Sequence, residues 1–165
     1  MSHSVNILWK KWREIILYLV FGVLTTVVGI GTYTLIFALA EHVIDLDLTD
    51  KSSGIYLAVY GAAQVIQWVA AVLFAFVTNK KWVFTDARPE PVWRQLIIFA
   101  SARVATLVLD VILTYVGVLA FSALWPDGLM IILHFSPEFL AKMVASVVVV
   151  AANYVLSKIF VFRKK

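Results

Sequence analysis

Cysteine is absent from the 165-residue chain, and charged residues are scarce, at 15%. Without cysteine the chain has no disulfide, no thiolate nucleophile and no cysteine-based metal site. A soluble domain carries about 25% charged and roughly 45–50% apolar residues, whereas 62% of this chain is hydrophobic. The shortage of charge therefore excludes an ordinary soluble domain and predicts an integral membrane protein.

Several kinds of functional site are also missing from the sequence. The net charge is +4, but the basic residues lie at the ends of apolar segments and form no patch for nucleic acid. His3, His42 and His134 are far apart. No nucleophile–base set, glycine-rich phosphate loop or pair of carboxylates is present. We therefore expect no nucleic-acid partner, no metal, no cofactor and no enzymatic activity.

Four apolar segments each reach the roughly 20 residues that a helix needs to cross a bilayer core. They cover residues 15–40, 55–78, 96–124 and 139–162. This pattern predicts an all-α integral membrane protein with four transmembrane helices in a single domain, residues 1–165.

The basic residues are distributed unevenly between the two sides of these segments. Eleven of the fourteen Lys and Arg residues flank the start of the first and third segments or the end of the second and fourth. The two remaining loops hold acidic residues and only Lys51. Because basic flanks stay on the cytoplasmic side, we expect both termini to be cytoplasmic.

The chain contains an internal repeat. The stretch "WREIILYLVFGVLTTVV" (12–28) matches "WRQLIIFASARVATLVL" (93–109) at an offset of 81, and "AFVTNKKWVF" (75–84) matches "NYVLSKIFVF" (153–162) at an offset of 78. The repeat predicts two helical hairpins that both start in the cytoplasm, the parallel class of transporter repeat. Gly22 and Gly29 then correspond to Arg103 and Asp110.

Arg103 and Asp110 are two opposite charges inside the third apolar segment. Seven residues place them about 20° apart around a helix and roughly 10.5 Å apart along it, on one face but too far for direct contact between neighbouring turns. Their depths predict two pairs, Asp110 with Lys142 and Arg103 with Asn153. Two interpretations stay open: a structural ion pair, or a group that binds an anion, for which Arg is suited because it stays charged and forks toward phosphate.

Other polar residues of the segments fall into two groups. Gln64 and Gln67 share a helix face, so they either join helices or line a polar cleft. Threonines such as Thr25 and Thr106 are expected to bond to the backbone of their own helix. A basic rim, which either anchors anionic lipid or guides an anionic head group inward, consists of Lys80, Lys81, Lys158 and Arg163.

The sequence resembles the GtrA-like family of small four-helix membrane proteins. The resemblance covers about residues 18–162 and is carried by "YLVFGVLTT" (18–26), "FAFVTNKKWVF" (74–84), "SARVATLVLD" (101–110) and "NYVLSKIFVF" (153–162). The chain departs from the family at Ala75, where Asn is frequent, and at Phe21, where Val precedes the glycine.

The resemblance implies a role in cell-envelope glycosylation, including that of teichoic acids. Family members are thought to move a polyprenyl-phosphate-linked sugar, such as undecaprenyl-phosphate glucose, across the inner (plasma) membrane beside a membrane glycosyltransferase that makes it. The residues that the motifs carry over are Asn79, Lys80, Lys81, Trp82, Arg103, Asp110 and Asn153.

We therefore predict a flippase-like protein whose substrate-binding set also includes Gln64, Gln67 and Lys142. Four helices enclose little volume, so we expect a homo-oligomer. One alternative is an exporter like the small multidrug-resistance proteins, but Glu14 lies at the mouth of the first helix beside Arg13, which disfavours it. The other is a non-transporting anchor or assembly partner of a glycosyltransferase.

Overall fold

The structure is a computed structural model that describes residues 2–47, 49–125, 129–130 and 134–163. Side chains are described at 9–10, 12–47, 49–125 and 136–163. The helices are α1 (Ser2–Ile44), α2 (Gly54–Thr78), α3 (Val92–Leu124) and α4 (Pro137–Leu156).

The prediction of four membrane-spanning helices is confirmed, with spans at Trp12–Ile44, Gly54–Val83, Val92–Leu124 and Pro137–Val161. Helix α1 is longer than predicted because a hydropathy pattern detects only the part of a helix that lies in lipid. A short hairpin between α3 and α4, which the sequence did not predict, pairs β1 (Leu129–Met130) antiparallel with β2 (His134–Phe135).

Two helix starts are fixed by serine caps. The Ser53 hydroxyl accepts a hydrogen bond from the N–H of Tyr56 at 3.1 Å, and the Ser136 hydroxyl accepts one from the N–H of Phe139 at 3.3 Å. Each cap satisfies an N–H that has no partner inside its helix. The entry of α2 and α4 into the apolar region is thereby set by the loops before them.

The chain divides into two compact units, a first hairpin (Met1–Thr85) and a second hairpin (Asp86–Lys165). In the first hairpin α1 packs on α2, and in the second α3 packs on α4. The prediction of two helical hairpins is confirmed.

Each hairpin ends in the same local structure, a five-residue π-helical turn. The first π turn is Asn79–Val83 and the second is Ser157–Val161, 78 positions later as the repeat requires. The N–H of Phe84 donates to the Asn79 carbonyl at 2.8 Å, and that of Phe162 donates to the Ser157 carbonyl at 2.8 Å. Single π turns are rare in helices and frequent at functional sites.

The repeat extends to side-chain packing. The rings of Tyr18 and Phe84 lie 6.5 Å apart at 56°, and those of the equivalent residues, Phe99 and Phe162, lie 6.2 Å apart at 56°. Each ring pair links the N-terminal half of one helix to the π turn that ends its partner. We call this part of each hairpin its π-turn end.

Large apolar side chains face outward along the spans. Val43 is 72% and Val147 is 68% exposed, whereas Ala63 and Phe99, at the helix contacts, are fully buried. Contact between α3 and α4 is closest at Gly117, where an added Cβ would lie 3.0 Å from the Cβ of Ala141. Each hairpin therefore has a narrow seam of small and aromatic residues and an outer apolar surface suited to lipid or to further protein.

Candidate functional site

The charged residues of the second hairpin form one direct ion pair inside the spans. The Lys142 ammonium donates to Oδ2 of Asp110 at 2.5 Å, joining α4 to α3. The predicted neighbourhood of Asp110 and Lys142 is confirmed. Charges at bilayer depth are costly and normally face a partner or a polar cavity, and this pair neutralises itself.

Arg103 lies two turns nearer the π-turn end and is half-buried. Its guanidinium carbon lies 4.7 Å from the centre of the Phe99 ring, within the range at which a ring face attracts a cation. A guanidinium carries five N–H donors in a fixed fork and stays protonated. The site therefore holds a permanent cation against a fully buried aromatic ring.

Asn153, which was predicted beside Arg103, is buried and bonded to Thr106. The Thr106 hydroxyl donates to Oδ1 of Asn153 at 2.8 Å and also lies 3.1 Å from the Arg103 carbonyl. Thr106 thus connects the backbone at Arg103 to the amide of Asn153, and a direct contact between Arg103 and Asn153 stays a prediction. Sequence reasoning missed Thr106 because a threonine in a helix usually bonds within its own helix, as Thr25 does to Phe21 at 2.7 Å.

The equivalent positions of the first hairpin are neutral. Gly29 corresponds to Asp110, and Gln64 corresponds to Lys142. The Gln67 amide donates to Oε1 of Gln64 at 3.2 Å, and a Cβ added at Gly29 would lie 2.9 Å from Oε1 of Gln67. Of the two interpretations of these glutamines, this close approach favours contact between helices.

The first π turn carries four of the predicted site residues. Asn79 is 3% exposed, and its side-chain oxygen is buried without a hydrogen-bond partner among the described residues. The ammonium of Lys80 lies 5.8 Å from the centre of the Phe76 ring. Lys81 and Trp82 are exposed, with the ammonium 4.8 Å from the indole centre. A buried amide oxygen and two cations therefore share one turn.

Trp82 is held in place by a second aromatic ring. It stacks on Phe21 of α1, with the ring centres 5.4 Å apart and the planes at 20°. In the second π turn the ammonium of Lys158 donates to the Tyr154 hydroxyl at 2.8 Å and lies 5.0 Å from its ring centre. Both π-turn ends thus present a lysine on an aromatic ring.

The predicted residues fall into one group in each hairpin. The group in the first hairpin comprises Asn79, Lys80, Lys81 and Trp82 in the π turn, with Gln64 and Gln67 further along α2. The group in the second hairpin comprises Arg103, Asp110, Lys142 and Asn153, to which the structure adds Thr106.

The loop between α1 and α2 is acidic and satisfies its own charges. Asp47 accepts hydrogen bonds from the Thr49 hydroxyl at 2.6 Å and from the Thr49 N–H at 2.8 Å, and these bonds lower the pKa of that carboxyl below its ordinary value. Asp50 binds Ser52 in the same way. Among the residues that the structure describes, no three acidic or histidine side chains cluster to hold a metal.

Comparison with known proteins identifies the family of this fold. Residues 17–162 match the model of the GtrA/DPMS transmembrane domain. The chain is 33% identical over 153 residues to the uncharacterized membrane protein YwcD of Bacillus subtilis (strain 168), which covers 90% of this chain and 95% of that protein.

Two further relatives have names that refer to a process. The chain is 31% identical over 159 residues to the cell wall teichoic acid glycosylation protein GtcA of Listeria monocytogenes serovar 1/2a, covering 93% and 87% of the two chains. It is 31% identical over 157 residues to GtcA of Listeria innocua serovar 6a, covering 92% and 86%. No solved structure matches. With four spans, two repeated hairpins and a family match over nearly its whole length, the chain is a multi-pass membrane protein of the GtrA/DPMS transmembrane family.

Proposed function

We propose that this protein moves a polyprenyl-phosphate-linked sugar, of the undecaprenyl-phosphate type, between the leaflets of the plasma membrane for glycosylation of a cell-wall polymer. The reference to a cell-wall polymer rests on the names of the GtcA relatives, which refer to glycosylation of teichoic acid. The movement of a lipid rests on the chemistry of the second hairpin.

The observation that carries the proposal is the arrangement of three charges on α3 and α4. Arg103 shares a helix face with Asp110, and the Asp110 carboxylate is bonded to Lys142. The ion pair joins α3 to α4, and α3 carries in addition the guanidinium of Arg103 against the Phe99 ring. A lipid phosphate is the anion that a membrane-embedded guanidinium binds best, since its oxygens match the fork of N–H donors.

The sugar and the prenyl chain have different requirements. Buried amide and hydroxyl groups at Asn153 and Thr106 offer hydrogen bonds of the kind that a sugar needs, and the prenyl chain can stay in lipid. Only the head group then crosses the membrane. This division of the substrate means that the path need not enclose volume for the whole lipid.

The setting of the protein follows from its charge and its surface. The basic flanks favour cytoplasmic termini, so the π-turn ends lie where a cytoplasmic glycosyltransferase would release its lipid-linked product. At most 22% of any span's apolar window is buried within the chain, and we infer that a homo-oligomer and the membrane glycosyltransferase cover part of the rest. No catalytic step is assigned to the chain.

The test is leaflet translocation of a polyprenyl-phosphate sugar in liposomes that contain the full chain. We expect transport by the wild type, loss of transport and weaker lipid binding for Arg103→Ala, and reduced transport for Asp110→Asn, all at matched folded amounts. Arg88→Ala removes a cation outside the spans and serves as the control. Transport by Arg103→Ala at the wild-type rate contradicts the proposal.

The same experiment separates the assembly-partner alternative. An assembly partner changes the amount or location of the glycosyltransferase, whereas a translocase changes only the leaflet in which the lipid product is found. A wild type that is inactive in liposomes but needed for transferase abundance in cells favours the assembly partner.

A further inference from the structure

A cleft of about 200 Å³, lined by both charged and apolar side chains, lies at the π-turn end of the second hairpin, apart from the charged group within the spans. Its lining comes from the first two turns of α3 and Glu90 in the segment before them, and from the second π turn with Arg163. These elements lie where the spans Val92–Leu124 and Pro137–Val161 begin and end. The cleft therefore opens at the level of lipid head groups.

Two arginines line this cleft. Arg163 is anchored, because its Nε donates to the Ile159 carbonyl at 2.9 Å and its own carbonyl accepts from the Arg88 N–H at 2.7 Å. Within the described part of the chain, the two terminal amino groups of Arg163 have no partner. Arg94 of α3 also lines the cleft, so the cleft offers guanidinium groups from two parts of the hairpin.

Glu90 opposes an anion in this cleft, but its hold on Arg94 is weak. The two side chains are 3.4 Å apart, and they are 42% and 62% exposed. Exposed pairs of this kind contribute little to stability. A phosphate that binds bidentately can therefore take Arg94 from the carboxylate.

The start of α3 adds two features that favour an anion attached to a hydrocarbon chain. Its cap residue, Pro91, provides no side-chain hydrogen bond to the first-turn N–H groups, and the helix dipole places partial positive charge there. Ile98 and Phe160 form an apolar wall of the same cleft. Groups that can donate hydrogen bonds to a phosphate and side chains that can contact a hydrocarbon chain are thus adjacent in this cleft.

The first hairpin provides an internal comparison, because the key residues of the cleft are replaced by different residues at the equivalent positions of the repeat. The position of Gln95, which is 3% exposed, is occupied by Glu14, which is 8% exposed. The position of Arg163 is occupied by Thr85. An equivalent cleft there would have a buried carboxylate and one arginine fewer, so it would repel a phosphate.

We propose that the cleft of Arg94, Arg163 and Gln95 binds the phosphate of a prenyl-phosphate lipid before or after transit. This proposal rests on the proposed function only for the identity of the hydrocarbon chain, a prenyl group. The recognised group is phosphate, a chemistry that a lipid shares with the free ion. Binding in the cleft does not require that the chain transports anything.

The test is isothermal titration calorimetry on the purified full chain in detergent, with farnesyl phosphate, inorganic phosphate and farnesol as probes. We expect farnesyl phosphate to bind most tightly. Arg94→Gln and Arg163→Gln should each weaken it about tenfold, the loss of one charge-assisted hydrogen bond. Gln95→Glu, which copies the first hairpin, should weaken it similarly.

Glu90→Gln gives the sharpest readout, because it should tighten binding of farnesyl phosphate two- to threefold, roughly the effect of removing a weak competing pair. A folding defect cannot produce that sign. Arg88→Gln removes a cation nearby but outside the cleft and should bind farnesyl phosphate as the wild type does.

Three outcomes overturn the proposal. They are equal affinity for farnesol and farnesyl phosphate, wild-type affinity in both arginine variants, and weaker binding in Glu90→Gln. Equal affinity for inorganic phosphate and farnesyl phosphate overturns the assignment of a lipid as the ligand. If only Arg103→Ala loses binding, the cleft proposal fails and the proposed function stands. If the cleft variants lose binding but the wild type moves no lipid in liposomes, the proposed function fails and the cleft proposal stands.

Discussion

The ammonium of Lys142 donates to the carboxylate of Asp110 and so ties α4 to α3 in the middle of the second hairpin. The first hairpin makes the same fold with Gln64 and Gly29 at the equivalent positions. A hairpin of this type therefore forms without an ion pair at these two positions. The charges are an addition to the second copy, and their contribution to stability can be separated from their contribution to function.

Removing one member of the pair should destabilise the protein more than removing both. Asp110→Asn or Lys142→Met leaves a single charge among apolar groups, which is costly, whereas the double variant leaves none. We expect a coupling of about 1–3 kcal/mol in a double-mutant cycle, measured by unfolding in mixed micelles. Additive effects of the two substitutions would contradict the pairing. Translocation by a folded double variant then tells whether the pair also serves transport.

Thr106→Val should destabilise the second hairpin because Asn153 loses its inter-helix hydrogen bond while staying buried. The expected loss is about 1–2 kcal/mol, the cost of an unsatisfied buried amide. The matched control is Thr25→Val, since the repeat-equivalent hydroxyl donates to the Phe21 carbonyl in its own helix. Melting temperatures of the two variants in the same detergent make the comparison. Equal shifts would mean that the bond to Asn153 contributes nothing to stability.

Asn79→Leu should leave the melting temperature unchanged or raise it, because the amide oxygen it removes is buried without a partner among the described residues. A native group that costs stability in this way usually needs a functional explanation. We therefore expect the same variant to reduce lipid translocation in liposomes. Reduced stability together with normal transport would assign Asn79 a structural role.

The carboxyl of Asp47 should titrate below the ordinary value of about 3.9 for aspartate, since hydrogen bonds from Thr49 hold its pKa down. A depressed folded-state pKa contributes stability that is present above about pH 4 and is lost as the pH falls through the folded-state pKa. Thr49→Val removes the hydroxyl bond and should raise the pKa of Asp47, as followed by NMR titration of the side chain. An unchanged Asp47 curve would contradict the assigned cause.

Much of the architecture could be predicted from the apolar composition of the segments and from the internal repeat. Long apolar runs can cross a membrane only as helices, because every backbone group must find its partner inside the segment. The offsets of 81 and 78 residues predicted two hairpins, and the π turns and ring pairs at their ends follow the same offsets. The pairing of Asp110 with Lys142 was also predictable, since a lone charge at that depth needs a partner at the same level.

Other features depended on tertiary contact. A π turn differs from an α turn by one extra residue per hydrogen-bonded ring, and nothing in "NKKWV" or "SKIFV" specifies that choice without the aromatic ring against which the next phenylalanine packs. The role of Thr106 could not be predicted from the sequence for a similar reason. Its hydroxyl can bond to its own helix, and only the proximity of Asn153 on α4 gives it a second partner.

The sequence by itself thus determined that the chain crosses the membrane four times, that it is a duplication, and that Arg103, Asp110 and Lys142 lie inside the third and fourth spans. These properties follow from hydropathy, helix geometry and the cost of a charge in hydrocarbon, all of which act locally along the chain. Only the tertiary structure decided which side chains meet. It placed Gln67 against Gly29, joined Asn153 to Thr106, and brought Arg94 and Arg163, which are far apart in the sequence, to one cleft.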